Sequence, residues 1–138
     1  MPFALGNGMH TILIADDEPA IVELVRVTLE DDRVRVFEAF DGQGALALAS
    51  LLHPDLVLLD VNLPDRSGLE VCRALREDEA LVKTKVVMLT AATQAEDVAR
   101  GLAAGADHYL TKPFSPLRLL SLVEKLLPSA TIWQPRSA

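Results

Sequence analysis

Five polar residues carry the chemical interest of this chain. Asp16 and Asp17 follow the apolar run Ile12-Leu13-Ile14-Ala15, Asp60 follows Leu56-Val57-Leu58-Leu59, and Thr90 follows Val86-Val87-Met88-Leu89. Lys112 ends the short run His108-Tyr109-Leu110-Thr111. Each alone says little, since an acid after an apolar run is most often a turn residue or a helix cap. Gathered in one cleft, three carboxylates repel one another and disturb each other's ionisation. A divalent cation relieves that repulsion. Oxygen donors without Cys or paired His suit Mg²⁺, or Mn²⁺, rather than Zn²⁺.

The elements that would gather them alternate along the chain. The four apolar runs above read as strands. A further one, Val34-Arg35-Val36-Phe37, alternates in polarity and reads as an edge strand. Between the strands lie helical patterns. Pro19 suits a first helical turn, and Ile21, Val25 and Leu29 recur at helical spacing. A second helix opens at Asp41-Gly42 and stops before Pro54, and a third covers about residues 69–77. The fourth covers about residues 95–103, with Gly105 suited to a left-handed terminus. The last would bury Leu119, Leu120, Val123, Leu126 and Leu127 before Pro128. Five strands alternating with five helices imply a parallel sheet covered on both faces. Ligands of such folds bind at the carboxyl ends of the strands, where all five polar residues fall.

Composition narrows the function classes. A length of 138 residues fits one domain, and a chain that is 50% hydrophobic and 24% charged is not disordered. With 20 acids against 13 bases and a net charge of -7, it is a poor candidate for binding nucleic acid. No apolar run reaches membrane-spanning length, and no Lys or Arg precedes Arg26 to make the basic start of a signal peptide. Cys72, the single cysteine, cannot form an intrachain disulfide, which fits a reducing compartment. These features lead us to expect a cytoplasmic protein with no membrane contact. Residues 1–10 read as a loose leader, 11–127 as the domain and 128–138 as a tail or linker remnant.

Four segments, ILIADDEP (12–19), PDLVLLDVNLPDRSG (54–68), VVMLTA (86–91) and GADHYLTKPF (105–114), closely resemble the receiver domain of two-component response regulators. The resemblance implies a flavodoxin-like (βα)5 doubly wound α/β fold with strand order 2-1-3-4-5. It implies that Asp60 is the phospho-acceptor, forming an acyl phosphate. Asp17 would bind Mg²⁺ directly, Asp16 directly or through water, with Asp60 and the backbone carbonyl of Asn62 adding oxygens. Lys112 would pair with phosphoryl oxygens, aided by a cis Lys112-Pro113 peptide. Thr90 would turn its hydroxyl toward the phosphoryl group, Tyr109 would swing inward behind it, and the small Ala91 would leave access to the acceptor.

The implied partners are a sensor histidine kinase or histidine phosphotransfer protein as donor. Downstream stands a protein target or an output domain, reached through the face of the fourth helix, fifth strand and fifth helix. The chain would not be a turnover enzyme, although it would catalyse its own Mg²⁺-dependent phosphorylation and dephosphorylation. With 11 residues after Leu127, it reads as a stand-alone receiver or a fragment of a longer regulator.

The segment 101–120 is most similar to receivers joined to winged-helix DNA-binding domains. Those usually have an acid after GAD and an arginine midway along the last helix, for a charged dimer face. His108 and Leu122 stand there instead, so a phosphorylation-dependent dimer of that mode would be absent or altered, and Leu122 is expected on a more apolar docking face. Other classes fit less well. An aspartyl phosphatase typically has its nucleophile on the first strand, with a second acid two residues on, whereas here position 62 is Asn. A flavin-binding relative needs a phosphate-cradling loop where Asp16-Asp17-Glu18 would repel phosphate. A pseudo-receiver scaffold would lack an acceptor or metal residue, and none is missing. His10 and His53 carry no catalytic signal, Cys72 reads as core, and Trp133 lies past the last helix.

Overall fold

The middle of the sheet is set by runs with no polar interruption. Ile12 to Ala15 and Leu56 to Leu59 are wholly buried, as strands covered on both faces must be. The structure is a computed structural model that describes residues 9–91 and 95–127, without the side chains of 95–97. It runs β1 (His10–Ala15), α1 (Pro19–Leu29), β2 (Val34–Ala39), α2 (Gly42–Leu52), β3 (Leu56–Asp60), α3 (Gly68–Glu77), a 3₁₀ turn (Glu79–Leu81), β4 (Lys85–Ala91), α4 (Ala95–Ala103), β5 (His108–Lys112) and α5 (Pro116–Leu126). The sheet is parallel, in the order β2-β1-β3-β4-β5.

The two-residue period of the strands divides the core in two. Ile12, Ile14, Leu56, Leu58, Val87 and Leu89 face α1 and α5, where Val22, Val25, Leu29, Leu119 and Val123 complete the layer. Leu13, Ala15, Val57, Leu59, Val86 and Met88 face the opposite layer, which holds Ala45 and Ala49 of α2 and Val71, Cys72 and Leu75 of α3. The crossover through α1 on one face and those through α2 and α3 on the other leave the β1 and β3 ends side by side, with β4 and β5 beyond. This juxtaposition brings Asp16, Asp60, Thr90 and Lys112 to one edge.

Local chemistry starts and stops the helices. Pro19 and Pro116 occupy first turns, and the side chains of Asp41, Ser67 and Ser115 accept backbone N–H groups at the starts of α2, α3 and α5. α2 ends at His53 in the left-handed region (φ 48°), and Gly105 supplies φ 109° after α4.

Several boundaries differ from the sequence reading. β1 begins at His10, inside the stretch read as leader, because its N–H donates to Arg33 O at 2.7 Å. The 3₁₀ turn, capped by Asp78 on Ala80 N at 2.9 Å, has no apolar period to announce it. On α5 the fully buried set is Leu119, Leu122 and Val123, while Leu120, Leu126 and Leu127 are partly buried. Leu122 is therefore a correction. It is only 8% exposed and belongs to the α1–α5 core, because positions 119, 122 and 123 share one helical stripe. The leader up to residue 8 and the tail with Trp133 lie outside the described residues. Among the described residues, no helix is long and apolar enough to cross a membrane.

Candidate functional site

Asp16 and Asp17 begin where β1 ends, and Asp60 is the last residue of β3 beside it. One oxygen from each lies within 4.8 Å of the others. Asp16 is wholly buried, Asp60 is 7% exposed and Asp17 is exposed. The carboxylates are oriented as well as gathered. Asp16 Oδ1 accepts Glu18 N at 2.8 Å, which turns the chain into α1. Asp60 Oδ1 accepts Asn62 N at 3.0 Å, leaving Oδ2 to face Lys112 Nζ at 3.3 Å.

The loop after Asp60 is fastened closely. Val61 N donates to Leu89 O at 3.1 Å, and Gly68 N donates to Val61 O at 2.7 Å. A Cβ on Gly68 would stand 2.0 Å from the backbone oxygen of Asp60, so only glycine fits this approach. From the same loop, Asp65 accepts Gly42 N at 2.7 Å and Gln43 N at 3.0 Å, joining the loop to the start of α2. Those N–H bonds, Gly42's foremost, hold the Asp65 carboxyl below its ordinary pKa.

Lys112 reaches over the cluster from β5. Its Nζ lies 2.7 Å from Glu18 Oε1 and 2.8 Å from Asp16 Oδ2. The Asp16 contact is an ion pair outside hydrogen-bond alignment, so Asp16 Oδ2 accepts no aligned bond. Burial works against the ammonium, but the close carboxylates of Asp16 and Glu18 and the charge of Asp60 outweigh it and raise the Lys112 pKa. The Asp60 pKa also shifts upward. Burial first, and then the Asp16 charge, push its pKa up, although the Asn62 N–H and Lys112 oppose them. The Lys112–Pro113 peptide is cis.

Thr90 is 3% exposed, and its Oγ1 is buried without a hydrogen-bond partner among the described residues. β4 pairs Met88 with Tyr109 and Thr90 with Thr111, so Thr90 and Tyr109 point to the same face of the sheet, the one α4 covers. Tyr109 is 37% exposed and so occupies the outward position, its ring 5.7 Å from that of His108. Ala91 is exposed at the end of β4, and Asn62 is exposed in the loop after β3.

The structure thus brings together Asp16, Asp17, Asp60 and Lys112, with Thr90 one strand away and Tyr109 turned outward. Three contributors escaped the sequence reading. Glu18 binds Lys112, Asp65 caps α2, and Gly68 permits the loop's approach. A third consecutive acid, standing before a helix-starting proline, was the available signal for Glu18.

The donor set fits a hard divalent cation on this geometry. It consists only of oxygens, and one of them, on the wholly buried Asp16, accepts no aligned hydrogen bond. A doubly wound five-stranded sheet with this acid cluster and an opposed lysine at its carboxyl edge defines a receiver-type signalling module. The receiver-domain profile of response regulators matches residues 12–124, and the chain belongs to that family.

Particular relatives sharpen the placement. The chain is 47% identical over 119 residues to RpaA, the DNA-binding dual master transcriptional regulator of Synechocystis sp., covering 86% of this chain and 49% of RpaA. It is 42% identical over 126 residues to PhoP, the alkaline phosphatase synthesis transcriptional regulatory protein of Bacillus subtilis, covering 91% of this chain and 52% of PhoP. The chain spans about half the length of these curated relatives. A response regulator from Chloroflexus aurantiacus superposes with a TM-score of 0.82 at 32% identity, covering 87% of this chain and 98% of that one. The chemotaxis response regulator CheY4 of Vibrio cholerae gives 0.81 at 37% identity, covering 86% and 99%.

Proposed function

We propose that this domain accepts a phosphoryl group on Asp60 from a phosphohistidine of a sensor histidine kinase or phosphotransfer protein, with Mg²⁺, and thereby switches the binding of a partner. The observation that carries the proposal is the Asp60 carboxylate. It is buried, one oxygen is held by Asn62 N–H, and the other faces Lys112 within the acid cluster. Asp16, Asp17, Asp60 and the Asn62 carbonyl would hold the ion. When bound, the ion supplies positive charge against the carboxylates and the incoming phosphoryl oxygens.

Asp60 Oδ2 forms the new P–O bond as the donor's P–N bond breaks, and the freed imidazole takes up a proton. Lys112 donates to the phosphoryl oxygens, and Thr90 presents its partnerless hydroxyl to them. Water later cleaves the acyl phosphate, restoring the carboxylate and releasing inorganic phosphate. The domain is therefore a self-acting switch and no turnover enzyme. Once Thr90 is drawn toward the phosphoryl group, Tyr109 on the same face has space to move inward. That movement remodels the α4–β5–α5 surface offered to a downstream protein or output domain. Direct DNA binding is left to other parts of regulators such as those it resembles, and a cytoplasmic site of action follows from the kinase partner.

The test is intact-mass spectrometry after acetyl phosphate and Mg²⁺. One phosphoryl adduct, removed by hydroxylamine and absent from Asp60→Asn, is expected. An undiminished adduct in Asp60→Asn overturns the acceptor assignment.

A further inference from the structure

We infer that Glu18 is a positioning residue that parks the Lys112 ammonium short of Asp60 and competes with the phosphoryl group for it. The inference rests on the phospho-acceptor reading above and adds a regulator of that site. Two independent observations carry it.

The first is how Lys112 shares itself. An ammonium has three N–H donors, and here three carboxylates surround it. Glu18 Oε1 lies at 2.7 Å and Asp16 Oδ2 at 2.8 Å, while Asp60 Oδ2 is the most distant at 3.3 Å. The group that must meet the phosphoryl oxygens is thus held closer to Glu18 at the rim and to the buried Asp16 than to the acceptor. The Glu18 side chain is 59% exposed and that of Lys112 is 16% exposed, so water replaces Glu18 easily once a better anion arrives. The tether is strong enough to bias the ammonium and weak enough to release it.

The second is the residue type at Glu18. This position is the N-cap of α1, where Ser, Thr, Asp or Asn would use a short side chain to accept a helix N–H. Glu18 makes no side-chain cap bond. Its backbone carbonyl starts the helix by accepting Ile21 N and Val22 N, and its carboxylate crosses instead to a lysine 94 positions away. The helix gains no capping hydrogen bond from this side chain, whereas the site gains a competitor for Lys112.

The experiment measures beryllofluoride affinity with Mg²⁺ by NMR titration for the wild type, Glu18→Gln and Glu18→Ser, and follows the Lys112 side-chain ¹⁵Nζ and ¹³Cε signals. Glu18→Ser supplies a better cap and should melt no lower than the wild type, which separates the site effect from helix damage. Both variants should bind beryllofluoride about two- to fivefold more tightly, the size of one exposed ion pair. In both, the Lys112 signals of the free protein should move from their wild-type positions. Unchanged affinity overturns the inference. So does tighter binding with the free-state Lys112 signals unmoved, since the lost charge would then act through space and not through Lys112. A wild-type response that survives in Asp60→Asn would instead overturn the acceptor reading beneath it.

Discussion

Replacing Gly68 by alanine inserts one methyl group at the tightest point of the site. The added Cβ would sit 2.0 Å from Asp60 O, 2.9 Å from Asp60 C and 3.0 Å from Val61 Cα, all backbone atoms that cannot rotate away. Carbon and oxygen in contact stand more than 3 Å apart, so the loop must retreat by about 1 Å. Such overpacking costs about 1–3 kcal/mol. The retreat also stretches the 2.7 Å bond from Gly68 N to Val61 O, a loss of about 1 kcal/mol. We expect Gly68→Ala to be destabilised by about 2–4 kcal/mol, which for a domain of this size lowers the melting temperature by about 7–14 °C. The same retreat displaces Asn62, so Mg²⁺ affinity measured by calorimetry well below the melting temperature should fall about tenfold or more. A variant that melts within about 2 °C of the wild type and binds Mg²⁺ equally well would refute the reasoning, because the loop would then be free to yield.

Other expectations follow from single contacts. Leu122→Ala should lose about 2–4 kcal/mol in urea unfolding, because the side chain is core; a surface residue would lose almost nothing. Asp65 contributes stability through a lowered carboxyl pKa, so its contribution is complete above the ordinary carboxylate pKa of about 4 and fades as pH falls through the lower folded value. The stability gap between the wild type and Asp65→Asn should therefore be flat from about pH 5 to 8 and narrow below about pH 4. A gap that widens in acid would show the sign to be wrong.

Much of this was legible in the chain because apolar runs and polar stops coincide. Leu56 to Leu59 has no polar residue, so it had to be central, and Asp60 had to stand at its end. Val34 to Phe37 alternates, and β2 is an edge strand. What escaped depends on distances between segments far apart in sequence. Nothing near Glu18 announces Lys112, and nothing near Asp65 announces the start of α2. Leu122 misled because its meaning was taken from relatives with a different residue there, when the helical spacing with Leu119 and Val123 already placed it inside. Tyr109 could be assigned to a strand, but its outward position beside His108 is a choice between rotamers that no sequence pattern encodes.

On the proposed reading, Thr90 keeps the resting state ready to change. Its hydroxyl is buried and has no hydrogen-bond partner among the described residues, and an unsatisfied buried hydroxyl carries a desolvation penalty of about 1–3 kcal/mol. A β-strand with neighbours on both sides would accept valine there at least as well, since valine has the same shape and a higher strand preference. The threonine therefore makes the resting state less stable than it could be, and phosphoryl oxygens would relieve the deficit by accepting a hydrogen bond from it. Thr90→Val should accordingly melt higher than the wild type, by an amount corresponding to up to about 1–2 kcal/mol. The same variant should lose most of the beryllofluoride-induced NMR shifts at Tyr109 and along β5, although beryllofluoride still binds at Asp60. The two measurements pull in opposite directions, and this separates the hydroxyl's role from its packing. If Thr90→Val melted below the wild type, the hydroxyl would have a partner in the resting state. If it melted higher but kept the full shifts at Tyr109, the hydroxyl would be a cost unconnected with the switch.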